Sequence, residues 1–397
     1  MRILNRSVLK QSLLALSFDL GGLFAGRLAI AFTPFLEAAP WILALFPAMI
    51  TVRGTIGGIL AGRLSTMLHT GEIEPRLRGN TEQFYSFIRG VFSLTLVDSL
   101  LIGLLSFGVN LFVGVTDLQD LPYFLAISVL TCMTSVTIGV PIASVAATTV
   151  FKRGLDPSII VYPLMSTIED ILVTTLYVVL VRMALLYNAL FGMELIIIIL
   201  LVFFLFVIVN HRRERVFRRT LVEGVPVVFL TSLLGTFGGT VLASLKEQIE
   251  ERPSILILYP ALIDTLGDIG SILGSMQTAK LALGYVQSFR SVLKGTLADL
   301  VSVETAAFLM HIAFGVAAFL LGLATGLTPN LMLLISMALI TNMISFSIIS
   351  LLSLATAIQT FRLGLDPDNL VIPMVTSVSD LIATTSLWWV IQALGVG

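Results

Sequence analysis

A single cysteine, Cys132, and only three histidines, His69, His211 and His311, stand among 397 residues. One thiol cannot close a disulfide within the chain. Cysteine and histidine this sparse also exclude a thiolate or imidazole metal centre. Charge is scarce too, at 12% of residues, against roughly 25% in an average globular chain. A net charge of −1 gives no sign of nucleic acid, and none is expected as a partner. Polar stretches are short, the longest covering about 69–84. No sizeable soluble domain is expected within these residues.

What fills the chain instead is apolar. Hydrophobic residues make up 57%, and the mean hydropathy is +1.01. A run such as ELIIIILLVFFLFVIVN (194–210) cannot be covered by a water-soluble surface. The composition predicts an all-α polytopic membrane protein with lipid as its main partner. A spanning helix needs roughly 20 apolar residues. Eleven segments qualify, at about 9–34, 40–68, 86–114, 121–151, 157–184, 188–210, 220–245, 254–281, 296–325, 329–361 and 368–394. The start, MRILNRSVLKQSLLALSF, is basic then apolar. No small-residue cleavage site follows cleanly, so it reads as a first membrane helix that stays.

Cytoplasmic loops collect Lys and Arg. With the N-terminus inside, Arg76, Arg78, Lys152, Arg153, the run HRRERVFRR (211–219) and Arg362 all fall inside. The acidic loops with Asp117 and Asp120, and with Glu247, Glu250 and Glu251, fall outside. The expectation is a multi-pass plasma-membrane protein with its N-terminus cytoplasmic and its C-terminus outside.

The chain repeats itself. LALFPAMITVRGTIGGILAGRLS (43–65) resembles LILYPALIDTLGDIGSILGSMQT (256–278), with Pro47 matching Pro260, 213 residues on. FKRGLDPSIIVYPLMSTIEDILVTT (151–175) resembles FRLGLDPDNLVIPMVTSVSDLIATT (361–385), with Asp170 matching Asp380, 210 residues on. This predicts one five-helix unit over 1–186 and a second over 220–397. A linker helix with a basic cytoplasmic segment, 187–219, joins them. Because the linker crosses the bilayer, both units start inside. They are then parallel repeats about a pseudo-twofold axis along the membrane normal.

Carboxylates inside the bilayer are the next signal. Each costs about 2.5–3.5 kcal/mol at mid-membrane. Asp98, Glu169, Asp170, Asp264, Asp268, Asp299, Glu304 and Asp380 all fall within apolar segments, with Arg53 as the main cation. Such acids must line water, hold an ion or carry protons. Asp264 and Asp268 sit four apart and share a helix face. Asp170 and Asp380 each follow a proline, Pro163 and Pro373, by seven residues. Prolines free backbone carbonyls, and Gly267 and Gly270 allow a local break or a close helix approach. Oxygen ligands without His or Cys suit a hard divalent cation, and Mg2+ in particular keeps its waters. Other residues read as structural. Asp156 and Asp366 of the GLDP boxes suit helix N-caps, with Pro157 and Pro367 in the first turn. His311 suits packing.

These motifs resemble those of the MgtE and solute-carrier family forty-one magnesium transporters. The second-helix element appears as Pro260, Gly267, Asp268 and Gly270, and again as Pro47, Gly54, Thr55 and Gly57. The fifth-helix element appears as Asp156-Pro157, Pro163 and Asp170, and again as Asp366-Pro367, Pro373 and Asp380. The resemblance implies a path for hydrated Mg2+ where the repeats meet. It would be lined by Asp170, Asp380, Asp268, Asp264, Thr55 and Thr51. It also implies no resident cofactor, and a monomer acting as a fused pseudo-dimer, with a homodimer as the other arrangement. Two features depart from the family. No stretch is left for cytosolic sensor domains. And Thr51, Arg53 and Thr55 stand where Asp264, Leu266 and Asp268 stand in the second half. Arg53 either pairs with Glu169 or Asp98, out of the path, or serves as a counter-charge when the path is empty. That asymmetry favours a carrier coupled to Na+ or H+ over an open channel.

Two other functions fit parts of the pattern. One is a secondary transporter for another divalent metal or solute. The other is an intramembrane aspartyl protease, suggested by PAL (260–262) and LGD (266–268). The order of those elements is reversed for such a protease, and no Tyr-Asp pair follows, so the chain is expected not to be an enzyme.

Overall fold

A computed structural model describes residues 4–76, 78–153, 157–282, 289–362 and 367–395. It describes their side chains apart from those of 157–160, 162–163, 278–282, 289–296, 360–361 and 367–374. Asp156 and Asp366, and the side chains of Pro157, Pro163, Pro367 and Pro373, lie outside the described set. The helices are α1 (Arg6–Ser17), α2 (Gly22–Ala29), α3 (Trp41–His69), α4 (Glu82–Val113), α5 (Leu121–Lys152), α6 (Pro157–Leu186) and α7 (Leu190–His211). They continue as α8 (Arg215–Ala243), a short α9 (Lys246–Glu251), α10 (Ser254–Ala282), α11 (Phe289–Ala324), α12 (Leu331–Arg362) and α13 (Pro367–Ala393). A 3-10 turn at Phe18–Gly21 links α1 to α2. No strand occurs among the described residues.

Among the described residues, ten segments are long and apolar enough to cross a membrane, with Arg6–Phe35 counting as one. The eleventh segment read from the sequence is α13. Helix ends follow local chemistry. Thr81 accepts from the Phe84 N–H at 3.3 Å at the start of α4, an N-cap bond. Gly114 closes the same helix at φ +84°, where a side chain would be strained.

The chain forms two compact units, and they do not follow the sequence halves. One is Pro34–Ala243, holding α3 to α8. The other is Met1–Thr33 with Ser244–Gly397, holding α1, α2 and α9 to α13. In the first unit, α8 packs on α3 and α4. In the second, α1 packs on α11 and α2 on α10. By sequence, α1–α2 opens the first half and α8 opens the second. On the bounds expected from the sequence, the first helix of each half packs in the unit that holds the other half's later helices.

Glycines make these exchanged contacts. A methyl at Gly22 would come within 2.9 Å of the Ala261 backbone, and one at Gly235 within 2.9 Å of Ala48. One turn on, a methyl at Gly26 would run into the Ile257 carbonyl, and one at Gly239 into the Ala44 carbonyl. Gly22 and Gly26 lie 213 residues before Gly235 and Gly239, and Ala48 and Ala44 lie 213 residues before Ala261 and Ile257. Gly-x-x-x-Gly faces let membrane helices approach to backbone contact, so the two halves use the same lock.

Within its unit, the second helix of each half is the core. The apolar windows of α3 and α10 are 83% and 78% buried, against 22% for α7. α7 touches α4, α5 and α6 and leaves Phe191, Ile199, Val202 and Phe206 exposed. An all-apolar helix with an exposed face suits lipid.

Candidate functional site

In the Pro34–Ala243 unit the charged residues gather where α3 meets α6. Arg53 is 7% exposed, Asp170 is fully buried and Glu169 is 7% exposed. One guanidinium nitrogen of Arg53 pairs with the Asp170 carboxylate. The other donates to the Ser166 carbonyl at 3.2 Å and to its hydroxyl at 2.7 Å. The planar fork of arginine suits this kind of multi-point hold. The Glu169 carboxylate lies over two glycines: a methyl at Gly57 would be 2.7 Å from it, and one at Gly139 3.0 Å. Arg53 is within electrostatic reach of Glu169 as well. Arg53, Gly54, Gly57, Met165, Ser166 and Glu169 line a recess too tight to admit a water molecule.

Of the two acids expected to pair with Arg53, Glu169 lies within its electrostatic reach, while Asp98 bonds elsewhere. Arg53 does not pair with Asp98. Its bonded carboxylate is Asp170, an acid expected to line the path. Asp98 is fully buried and accepts from the Ser232 hydroxyl at 2.7 Å, tying α4 to α8. The reason is geometric: α3 packs closely on α6, which brings Asp170 within reach of Arg53. Thr55 bonds back to the Thr51 carbonyl at 3.1 Å. Thr51 lies against Gly235 of α8.

In the other unit, Asp264 and Asp268 of α10 and Asp380 of α13 are each half-buried. A methyl at Gly267 would sit 3.6 Å from the Asp380 carboxylate, in ordinary contact. At Gly270 it would meet Val375 at 2.6 Å and the Ser379 hydroxyl at 3.1 Å. α10 runs unbroken through both glycines, so they serve close approach rather than a break. Pro260, inside α10, lacks the N–H that would bond the Leu256 carbonyl, and the Leu256 carbonyl lies against Gly26. Pro47 is buried in the equivalent turn of α3. The Tyr259 and Thr384 hydroxyls meet at 2.9 Å, joining α10 to α13.

Sequence reasoning missed Asp19. It is 5% exposed and accepts from the Thr265 hydroxyl at 2.7 Å, between Asp264 and Asp268 in sequence. An aspartate inside the apolar run LALSFDLGGLF was the available signal. Asp299 accepts from the Asn5 side chain at 2.9 Å, and Glu304 from Asn342 at 3.0 Å. His311 engages the Ala307 carbonyl at 2.7 Å, in keeping with a packing role. Among the described residues, no three His, Cys, Asp or Glu groups close on a common point. One or two carboxylates with several retained waters is the manner in which Mg2+ commonly binds.

Known proteins bear on this geometry. A family model described as MgtE, divalent cation transporter, matches twice, at residues 46–180 and 259–390. These regions contain α3–α6 up to residue 180 and α10–α13 up to residue 390, short of their ends. Solute carrier family 41 member 3 of mouse is 21% identical over 374 residues, covering 87% of this chain and 74% of that protein. The rat protein of the same name is 22% identical, covering 87% and 78%. Among solved structures, the eukaryotic MATE transporter AtDTX14 aligns over 97% of this chain and 92% of its own. Its identity is 15% and its TM-score 0.15, too low to carry an argument. The matched family is one of transporters, so the protease reading falls and the chain is not an enzyme. With both halves matched by the same model, this chain belongs to the MgtE family of divalent cation transporters.

Proposed function

We propose that this protein carries Mg2+ across the membrane along a path lined by acidic residues of the second and fifth helices of each repeat. Asp264 and Asp268 on α10 and Asp380 on α13 are its principal contacts. Asp170, Thr51 and Thr55 are the first-half counterparts, with Pro47, Pro163, Pro260 and Pro373 shaping the helices. One observation carries this reading. α10 is otherwise a buried core helix, with 78% of its apolar window covered, yet Asp264 and Asp268 remain half-exposed. A carboxylate in hydrocarbon costs about 2.5–3.5 kcal/mol, so these groups are placed to meet water or a hydrated ion.

In this reading the repeats span 1–186 and 220–397, the N-terminus is cytoplasmic and the C-terminus outside. The chain works in the plasma membrane as a fused pseudo-dimer. The tight recess at Arg53 favours a carrier that changes shape, driven by Na+ or H+, over a permanently open pore.

The test is Mg2+ uptake into proteoliposomes containing a Mg2+-sensitive dye, with and without opposing Na+ and H+ gradients. Asp380→Asn is expected to slow uptake on the order of tenfold, the effect of about 1.4 kcal/mol lost at the site. Gradient dependence then identifies the coupling ion. Folded wild type that moves no Mg2+ under any gradient refutes the reading, and Mn2+, Co2+ and Ca2+ are tried next in the same vesicles.

A further inference from the structure

Besides Thr51 and Thr55 in place of Asp264 and Asp268, the two halves differ at their matching sites in three further places. Asp170 corresponds to Asp380, but Arg53 corresponds to Leu266, Glu169 to Ser379 and Gly139 to Ile349. The register is confirmed in space: Gly57 faces Glu169 in one unit, and its counterpart Gly270 faces Ser379 in the other. Leu266, Ser379 and Ile349 are all fully buried. The first half therefore has a buried cation, a second acid within its reach, and a glycine that makes room for that acid.

We propose that the Arg53 guanidinium is a tethered substitute for the transported cation in the first half, so that the first half has no carboxylate to offer a divalent ion. The proposal rests on the transport reading above. Arginine keeps its proton in proteins, so its charge is permanent. It contacts Asp170 directly and is fixed by two bonds to Ser166. The recess around it admits no water, so no hydrated ion can share it. A divalent ion approaching Asp170 meets a positive charge already seated there. In the second half, an apolar leucine takes the arginine's place, and Asp380 and Asp268 stay half-exposed. The first-half position is thus permanently answered from within.

The experiment counts bound Mn2+ on the purified full chain, reading free Mn2+ by its paramagnetic resonance signal. Wild type is expected to bind Mn2+ at one class of site, lost in Asp380→Asn. The double variant Arg53→Leu/Glu169→Ser copies the second half at both positions. Together with Arg53→Gln, it is expected to bind about one more Mn2+ per chain. That extra ion should survive Asp380→Asn and vanish with Asp170→Asn. Arg53→Lys keeps the charge and is expected to bind as wild type does. If folded neutral variants gain no Mn2+, or gain one that Asp170→Asn does not remove, the proposal is overturned. It is overturned too if every neutral variant unfolds while Arg53→Lys folds, since Arg53 is then a structural staple. Wild type that neither binds nor moves any divalent ion brings down the transport reading instead.

Discussion

Replacing Asp170 by asparagine strands a buried guanidinium. Arg53 is 7% exposed and Asp170 fully buried, so neither charge has water to fall back on. Removing one partner of a buried pair costs about 3–5 kcal/mol. Ser166 and Glu169 stay near the guanidinium, which places Asp170→Asn at the lower end, about 3 kcal/mol. The matching Asp380→Asn change meets a half-exposed group with Leu266 in the arginine's position. It is expected to cost about 1 kcal/mol, as for a typical point substitution. Residues equivalent in sequence should therefore differ sharply in effect. The chain supplies its own reporter, because Cys132 is its one cysteine and lies buried in α5. A thiol-reactive dye reads its exposure on heating. With about 2–4 °C per kcal/mol for 150–250 residues, Asp170→Asn should melt about 6–12 °C below wild type. Adding Arg53→Leu should restore most of the loss, because apolar replacement of a buried pair is close to neutral. Equal melting shifts for Asp170→Asn and Asp380→Asn, or no rescue by Arg53→Leu, would refute the argument.

Two further outcomes can be checked with the same dye. Gly239→Ala drives a methyl into the Ala44 carbonyl; overpacking of about 1–3 kcal/mol should exceed the helix gain of about 1 kcal/mol and lower the melting temperature. Gly62→Ala, with nothing within 4 Å, should raise it. Glu214, between α7 and α8, is pushed up by partial burial, but bonds from Ser86 and Arg89 and the charges of Arg89 and His211 outweigh this and hold it below its ordinary value of 4.5. A lowered carboxylate stabilises above the unfolded value and loses that contribution as pH falls through the folded one. Glu214→Gln should therefore melt slightly below wild type at pH 7, by under about 1 kcal/mol for an exposed pair. The two should converge as pH drops below 4.5.

Hydropathy made the spanning helices legible, because lipid forces every backbone group to bond within its own helix. The matching prolines and aspartates of the two halves were legible for a similar reason: spacing along a helix fixes which face a residue occupies. Which helix meets that face was not legible. Thr51 shares its helix with Arg53, yet it lies against α8 while Arg53 reaches α6. The pairing of Arg53 with Asp170 depends on how α3 rests on α6, and no periodicity encodes it. The exchange of first helices was hidden as well, since helices of one repeat are naturally assigned to each other. Its trace was present in Gly22 and Gly26, repeated as Gly235 and Gly239. Such glycines announce a close partner without naming it.

The exchange also orders the events of synthesis. Gly26 meets Ile257, about 230 residues later in the chain. At about 5–20 residues per second, the first helix waits on the order of 10–50 s for α10 to be made. Asp19 waits equally long for Thr265, so for that interval a carboxylate and a glycine-lined face sit in the bilayer before their native partners exist. α8, by contrast, finds α3 and α4 already inserted and can dock as soon as it leaves the ribosome. The Pro34–Ala243 unit can therefore close early, while the unit holding Asp264, Asp268 and Asp380 is completed only after the oldest helices of the chain have been joined by α10 and α11.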